Sequence, residues 1–164
     1  MYVDGSVKWL CKWKLPLSSG NFAKGVKLHT PRYHLSFTAL PQHIDELGHV
    51  NNIVWVDWIQ QIATAHWAAV ASAEHLAAYV WVVTRHEIDY RGNIALGESV
   101  LAETFIPHGP SGARFDRRVD FRGPTGKVIV SANTTWALID KASGRLLRVR
   151  EDIAAPFRPF ADES

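Results

Sequence analysis

Large and polar side chains alternate along residues 32–39 (RYHLSFTA), the period-2 signature of a strand with one buried face. Residues 40–50 lose that period and read as a loop. From Asn52 the spacing changes: Trp55, Ile59, Ile62, His66, Ala69 and Ala73 recur at steps of three or four, which predicts a helix of about twenty residues with Asn51 or Asn52 as its N-cap. Its other faces are also largely apolar (Val54, Trp58, Ala63, Ala65, Trp67, Ala68), so the helix is expected to be enclosed nearly all round, as a sheet wrapped about it would do. Four stretches rich in β-branched and aromatic residues follow, at 79–90, 98–107, 113–122 and 127–139. Turn residues separate them at Arg91-Gly92-Asn93, at 108–112 and at 123–126, and the last two connections are short enough for antiparallel hairpins. A tight turn and short extension follow in KASGRLLRV. The order strand, long helix, four strands predicts an α+β fold.

The breaker-rich stretch 16–31, with Pro16, Gly20, Gly25 and Pro31, sets off what precedes it. The expected layout is an N-terminal extension over 1–30, one domain over 31–155 and an irregular tail over 156–164, where Pro156 and Pro159 stand. A chain of 164 residues, 47% hydrophobic with seven Trp, suffices for one packed core. The formal net charge of +2 hides an asymmetry: residues 1–30 hold five Lys against Asp4, so the rest carries a small negative balance and is no polyanion-binding surface. The arm interleaves Trp9, Leu10 and Trp13 with lysines and suits a lipid or nucleic-acid surface, or is merely an extension of the reading frame. It has no helix-turn-helix pattern, and no nucleic-acid partner is expected. Cys11 is the only cysteine, which excludes an internal disulfide and any zinc site built on several thiolates. No apolar run approaches the roughly 20 residues of a membrane span, and Lys8, Lys12 and Lys14 interrupt the N-terminus where a signal peptide would be apolar. A cytoplasmic protein with no membrane partner is the expectation.

The string DELGHVNNIVWVDWIQQ, followed by VWVVTRHEIDYRGNIALGESV and WALIDKASGRLLRV, resembles the 4-hydroxybenzoyl-CoA thioesterase-like family of hotdog-fold acyl-CoA thioester hydrolases, over roughly residues 32–152. The resemblance implies a hotdog fold, a curved antiparallel sheet of about five strands around one long helix, and a dimer or tetramer of dimers with active sites at the subunit interface. It also implies hydrolysis of an acyl-CoA substrate to free acid and CoA, with no cofactor and no metal. By the same resemblance Asp45 is the catalytic carboxylate, Gly48 lets the backbone approach the thioester, and the N–H near Asn52 polarises its carbonyl. His49 positions substrate or water, or simply bonds the loop, and Asn51 caps the helix or touches substrate.

Elementary chemistry agrees with those roles. Thioester hydrolysis needs a nucleophile, or a base that activates water, and a donor for the developing oxyanion. A helix N-terminus supplies unpaired N–H groups and a positive dipole end. Whether Asp45 attacks directly or as a base is not written in the sequence. An Asp in a loop also commonly binds neighbouring N–H groups, so only the whole string favours catalysis.

Other candidates carry less. Asp57, Gln61 and Thr64 form a polar line on an otherwise apolar helix. Asp57 is the reserve carboxylate, because some relatives use a helix-borne one, although Gln60 and Gln61 stand where many relatives are acidic. Trp55 is a candidate substrate-pocket wall, as the other tryptophans are, with core packing the commoner use. Arg114, Arg117 and Arg118, with Arg91 and Lys127 nearby, are candidate partners for CoA phosphates, against the simpler reading of a solvated strand face. Among His86, Arg85, Glu87 and Asp89 an ion pair at a sheet edge is expected rather than a metal site, since alternate strand residues face opposite sides. His66 and His75 are expected to be structural. The competing functions are hydrolysis of acyl carrier protein thioesters, whose plant enzymes share a similar HVNN string, a dehydratase-type activity on the same fold, whose loop pattern is missing, and a non-catalytic acyl-CoA-binding module.

Overall fold

The structure is a computed structural model that describes residues 32–157; the basic extension expected over 1–30 lies outside the described residues. Strands form where the alternation predicts them: β1 (Arg32–Thr38), β2 (Tyr79–Tyr90), β3 (Ser99–Phe105), β4 (Arg114–Arg122) and β5 (Val128–Asp140). The long helix α1 spans Asn52–Val70, followed by short helices α2 (Ala73–Ala78) and α3 (Glu151–Ala154). All strand pairs are antiparallel, in the order β1-β3-β4-β5-β2. The sheet is curved and carries the helices of an α+β hotdog fold.

The hairpins expected at 108–112 and 123–126 join neighbouring strands. The segment at Arg91-Gly92-Asn93 is not a hairpin turn. β2 pairs with β5, from Tyr79 opposite Asp140 to Tyr90 opposite Val130, and the chain then crosses to place β3 between β1 and β4. A thirteen-residue β5 matches the twelve-residue β2 along its whole length, which the seven-residue β3 cannot do.

One face of α1 lies on the sheet. Trp55, Trp58, Ile59 and Ile62 pack with Val100, Ala102, Val119, Phe121, Val130 and Ala132, all buried. Trp55 meets Trp58 edge-on at 5.1 Å and Phe121 at 5.2 Å, while Phe37 stacks on Trp58. Each such side chain withdrawn from water stabilises the fold by about 1.5–3 kcal/mol. A second cluster surrounds Trp67 with Phe115, Leu138, Val149, Ile153 and Phe157. Phe157 therefore belongs to the core, and Ala155–Phe157 forms a 3-10 turn rather than the start of an irregular tail, because the aromatic anchor outweighs the neighbouring prolines.

The helix is not enclosed all round. Ile53 is 72% exposed, and Gln60, Gln61, Thr64, Ala68 and Ala69 also face outward. A single sheet covers only one side of a helix, and the small alanines made the rest look more apolar than it is. Among the described residues no helix is long and apolar enough to cross a membrane.

Candidate active site

The segment between β1 and α1 closes on itself through the bridge of Ile44 with Val50. Asp45 donates its N–H to the His49 carbonyl at 2.8 Å, and Gly48 donates to the Asp45 carbonyl at 3.0 Å. Gly48 has φ +78, and a Cβ there would meet nothing within 4 Å, so the left-handed turn and not crowding requires glycine. The Asp45 carboxylate caps the loop: Oδ1 accepts from the N–H of Leu47 at 2.9 Å and of His49 at 3.3 Å. Oδ2 has no partner among the described residues. The same aspartate thus shapes its loop and leaves one oxygen available.

Helix α1 starts immediately after this loop. Asn51 is the N-cap, its Oδ1 accepting from Ile53 N–H at 3.0 Å, and its carbonyl accepts from Val54 N–H at 2.9 Å. The Asn52 N–H, first of the helix, has no acceptor among the described residues, and Asn52 is exposed. An exposed, unpaired amide at the positive end of a nineteen-residue helix offers a hydrogen-bond donor to a negatively charged group. His49 is exposed and its ring bonds to nothing described, so only its backbone serves the loop.

Asn93 holds this arrangement from across the chain. Its Nδ2 donates to the Val50 carbonyl at 3.0 Å, its Oδ1 accepts from Ile94 N–H at 2.8 Å, and Val50 N–H donates to the Ile94 carbonyl at 3.1 Å. Within RGN the asparagine looks like an ordinary turn residue. Nothing local reveals a partner forty-three positions earlier.

Several proposed ligand-facing residues stand elsewhere. Trp55 is fully buried in the core between Trp58 and Phe121, so it is packing and not a pocket wall. Asp57 accepts from Gln61 Nε2 at 2.7 Å on the outward side of α1. Arg117 is only 5% exposed and cannot reach a phosphate at the surface, while Arg114 is exposed on the opposite face. Arg118 is held by Asp120 at 2.9 Å and Asn133 at 3.2 Å, and Arg91 pairs with Asp89. The three arginines therefore form no single phosphate site. Arg117 falls inward because it shares parity with Phe115, Val119 and Phe121, an alternation that was present in the sequence.

On edge strand β2, Arg85 pairs with Glu87 at 2.7 Å, as expected, while His86 meets Thr134 Oγ1 at 2.9 Å. His75 lies parallel to the Trp67 ring and 3.3 Å from Asp152. His66 is buried, stacked on Tyr33 at 5.2 Å, with Nδ1 3.0 Å from Arg117. Burial and the adjacent guanidinium pull the His66 pKa down to about 3, so the ring is neutral and accepts from Arg117. Among the described residues no group of three or more His, Cys, Asp or Glu could hold a metal ion.

One long helix against a curved antiparallel sheet, its bare N-terminus following a carboxylate loop, is the hotdog arrangement. Residues 9–157 match the model of the acyl-ACP thioesterase N-terminal domain, and the chain belongs to that family. The match begins within the basic stretch, and the coarser hotdog thioesterase resemblance holds while its 4-hydroxybenzoyl-CoA-like assignment is not confirmed. A palmitoyl-acyl carrier protein thioesterase of Gossypium hirsutum is 28% identical over 82 residues, 49% of this chain and 20% of that protein. An acyl-ACP thioesterase from Bacteroides thetaiotaomicron has the same fold, with a TM-score of 0.65 at 21% identity over 71% of this chain and 49% of its own. The DHNA-CoA thioesterase from Staphylococcus aureus gives 0.64 at 14% identity, covering 72% of this chain and 80% of that one. The chain thus spans a fifth to a half of the first two relatives.

Proposed function

We infer that this chain hydrolyses an acyl thioester, with the helix-start amide of Asn52 as oxyanion donor and Asp45 as nucleophile or general base. The observation that carries this reading is the pairing of an unsatisfied N1 amide with a carboxylate whose Oδ1 is fixed by two backbone donors while Oδ2 stays open. A thioester carbonyl oxygen placed on the Asn52 N–H leaves its carbon facing the loop. Asp45 then either attacks that carbon, giving a mixed anhydride that water cleaves, or takes a proton from water as the hydroxide adds. In both routes the oxyanion collapses and expels a thiolate, a leaving group stable enough to need no strong acid. Gly48 keeps the loop free of a side chain where substrate would approach, and His49 lies ready to orient substrate or water.

Of the two carriers, the acyl carrier protein is favoured, because the matched family and the cotton relative both bear that name. Coenzyme A is the second reading, supported by the fold shared with the S. aureus enzyme and by the DELGHVNN string. Asp45→Asn keeps an oxygen for the Leu47 and His49 amides, so the loop persists while the reactive carboxylate is lost. Thiol release from matched acyl-carrier and acyl-CoA thioesters is expected to fall by about 10²–10⁴-fold in kcat. Unchanged turnover in that variant, or a native chain that cleaves neither thioester, refutes the reading.

A further inference from the structure

The second half of the core is not solid. A cavity of about 210 Å³ lies between α1, β2, β4 and β5, with walls made mostly of Trp67, Trp81, Ile106 and Phe115 and a rim that includes the exposed Thr64 and Val80. No carboxylate lines it, whereas two cations do: the exposed Lys141, whose Nζ donates to the Leu76 carbonyl, and the buried Arg117.

Arg117 is a buried cation without a counter-charge among the described residues. Its two protein hydrogen bonds, to His66 Nδ1 and to Thr104 Oγ1, are both 3.0 Å and both made by Nη1. The acceptors are neutral, and the Phe157 ring beneath, 5.5 Å from the guanidinium carbon, adds only a weak cation–π contact. Nε and Nη2 keep three N–H groups with no acceptor among the described residues. Burial pulls the Arg117 pKa down to about 9, which leaves it charged at neutral pH. A desolvated charge normally comes with a partner.

A second unused donor stands beside it. Trp136 also lines the cavity, and its Nε1 is buried with no partner among the described residues. Because Phe115 lies opposite Trp136 and Arg117 opposite Thr134, Arg117 and Trp136 are diagonal neighbours on the inner face, within reach of one ligand for side chains this long.

We propose that this cavity binds an apolar chain carboxylate-first, the carboxylate being received by the Arg117 guanidinium with the Trp136 indole N–H as auxiliary donor. The planar fork of arginine matches a carboxylate, and the aromatic walls match a hydrocarbon tail leading out to the rim. Two ligands share this chemistry: a free alkanoic acid, and an acyl thioester whose far end bears a second carboxylate. Binding itself does not depend on the thioesterase reading, so its test is separate from turnover.

Calorimetric titration of the full chain compares octanoate with octan-1-ol, which has the same tail but no charge. Octanoate is expected to bind at least about ten-fold more tightly, the size of a charge-assisted hydrogen bond. Arg117→Met should remove that preference while retaining octanol, and Trp136→Phe should weaken octanoate alone. Equal affinity for acid and alcohol, no binding of either, or a preference surviving in Arg117→Met overturns the proposal. The native comparison decides even if Arg117→Met fails to fold. Faster cleavage of an ω-carboxyacyl thioester than of its methyl-ended analogue identifies the thioester as the source, and inhibition of methyl-ended turnover by octanoate identifies the free acid.

Discussion

At the scale of single residues, His66 ties stability to pH. Its ring is neutral in the fold, with a pKa near 3 against 6.5 when unfolded, because burial and Arg117 oppose the charged form. Between those values the unfolded chain binds a proton that the folded chain does not, so stability falls as pH drops through this window. From about pH 7.5 to about pH 5 the loss from this group is about 2 kcal/mol. His66→Gln still offers Arg117 an acceptor but cannot be protonated. Urea unfolding at about pH 7.5 and pH 5 should therefore show a smaller difference in the variant; an equal difference in both proteins would show that His66 is not the titrating group. The inward parity of Arg117 was legible in the alternation of 114–122, but its lack of a counter-charge was not, since that depends on what three other elements bring near it.

At the scale of elements, the start of α1 separates a structural from a chemical role. Asn51 caps through its side chain, and Asn51→Ala should cost about 1 kcal/mol of stability. Asn52 sits at N1, where proline is well tolerated, and the preceding residue has φ −60 and ψ 143, a conformation compatible with a following proline. Asn52→Pro deletes the bare N–H and keeps the helix. Its kcat is expected to drop about 10²–10³-fold relative to Asn52→Ala, which retains the amide, with melting temperatures of the two variants close together. Equal activity of the two variants would show that this amide receives no oxyanion. The loop and cap were readable in sequence because they are local contacts within a few residues. The hold of Asn93 on Val50 was not, and neither was the crossing of the chain after β2.

At the scale of the whole molecule, self-association is expected from the free edge of β2. This twelve-residue strand pairs only with β5 among the described strands, and Val80 and Val82 stand 39% and 40% exposed beside that open edge. A long edge strand with apolar flanks is a template for a second copy. Light scattering should give a mass of two chains or a multiple of it, shifting toward one chain in Val82→Glu. A single-chain mass at all micromolar concentrations would remove the basis for an interface.

The sequence by itself determined the order of the strands and the long helix, the strand boundaries to within about a residue or two, the helix cap and the carboxylate loop, because periodicity, turns and capping act over short spans; the short helices α2 and α3 were not read from it. The tertiary structure alone decided that β2 lies at the edge beside β5, that Trp55 is core, that Phe157 closes the second cluster, and that Arg117 faces a cavity. These depend on which distant strands share a face and how much volume their side chains leave between them. No short-range pattern encodes either.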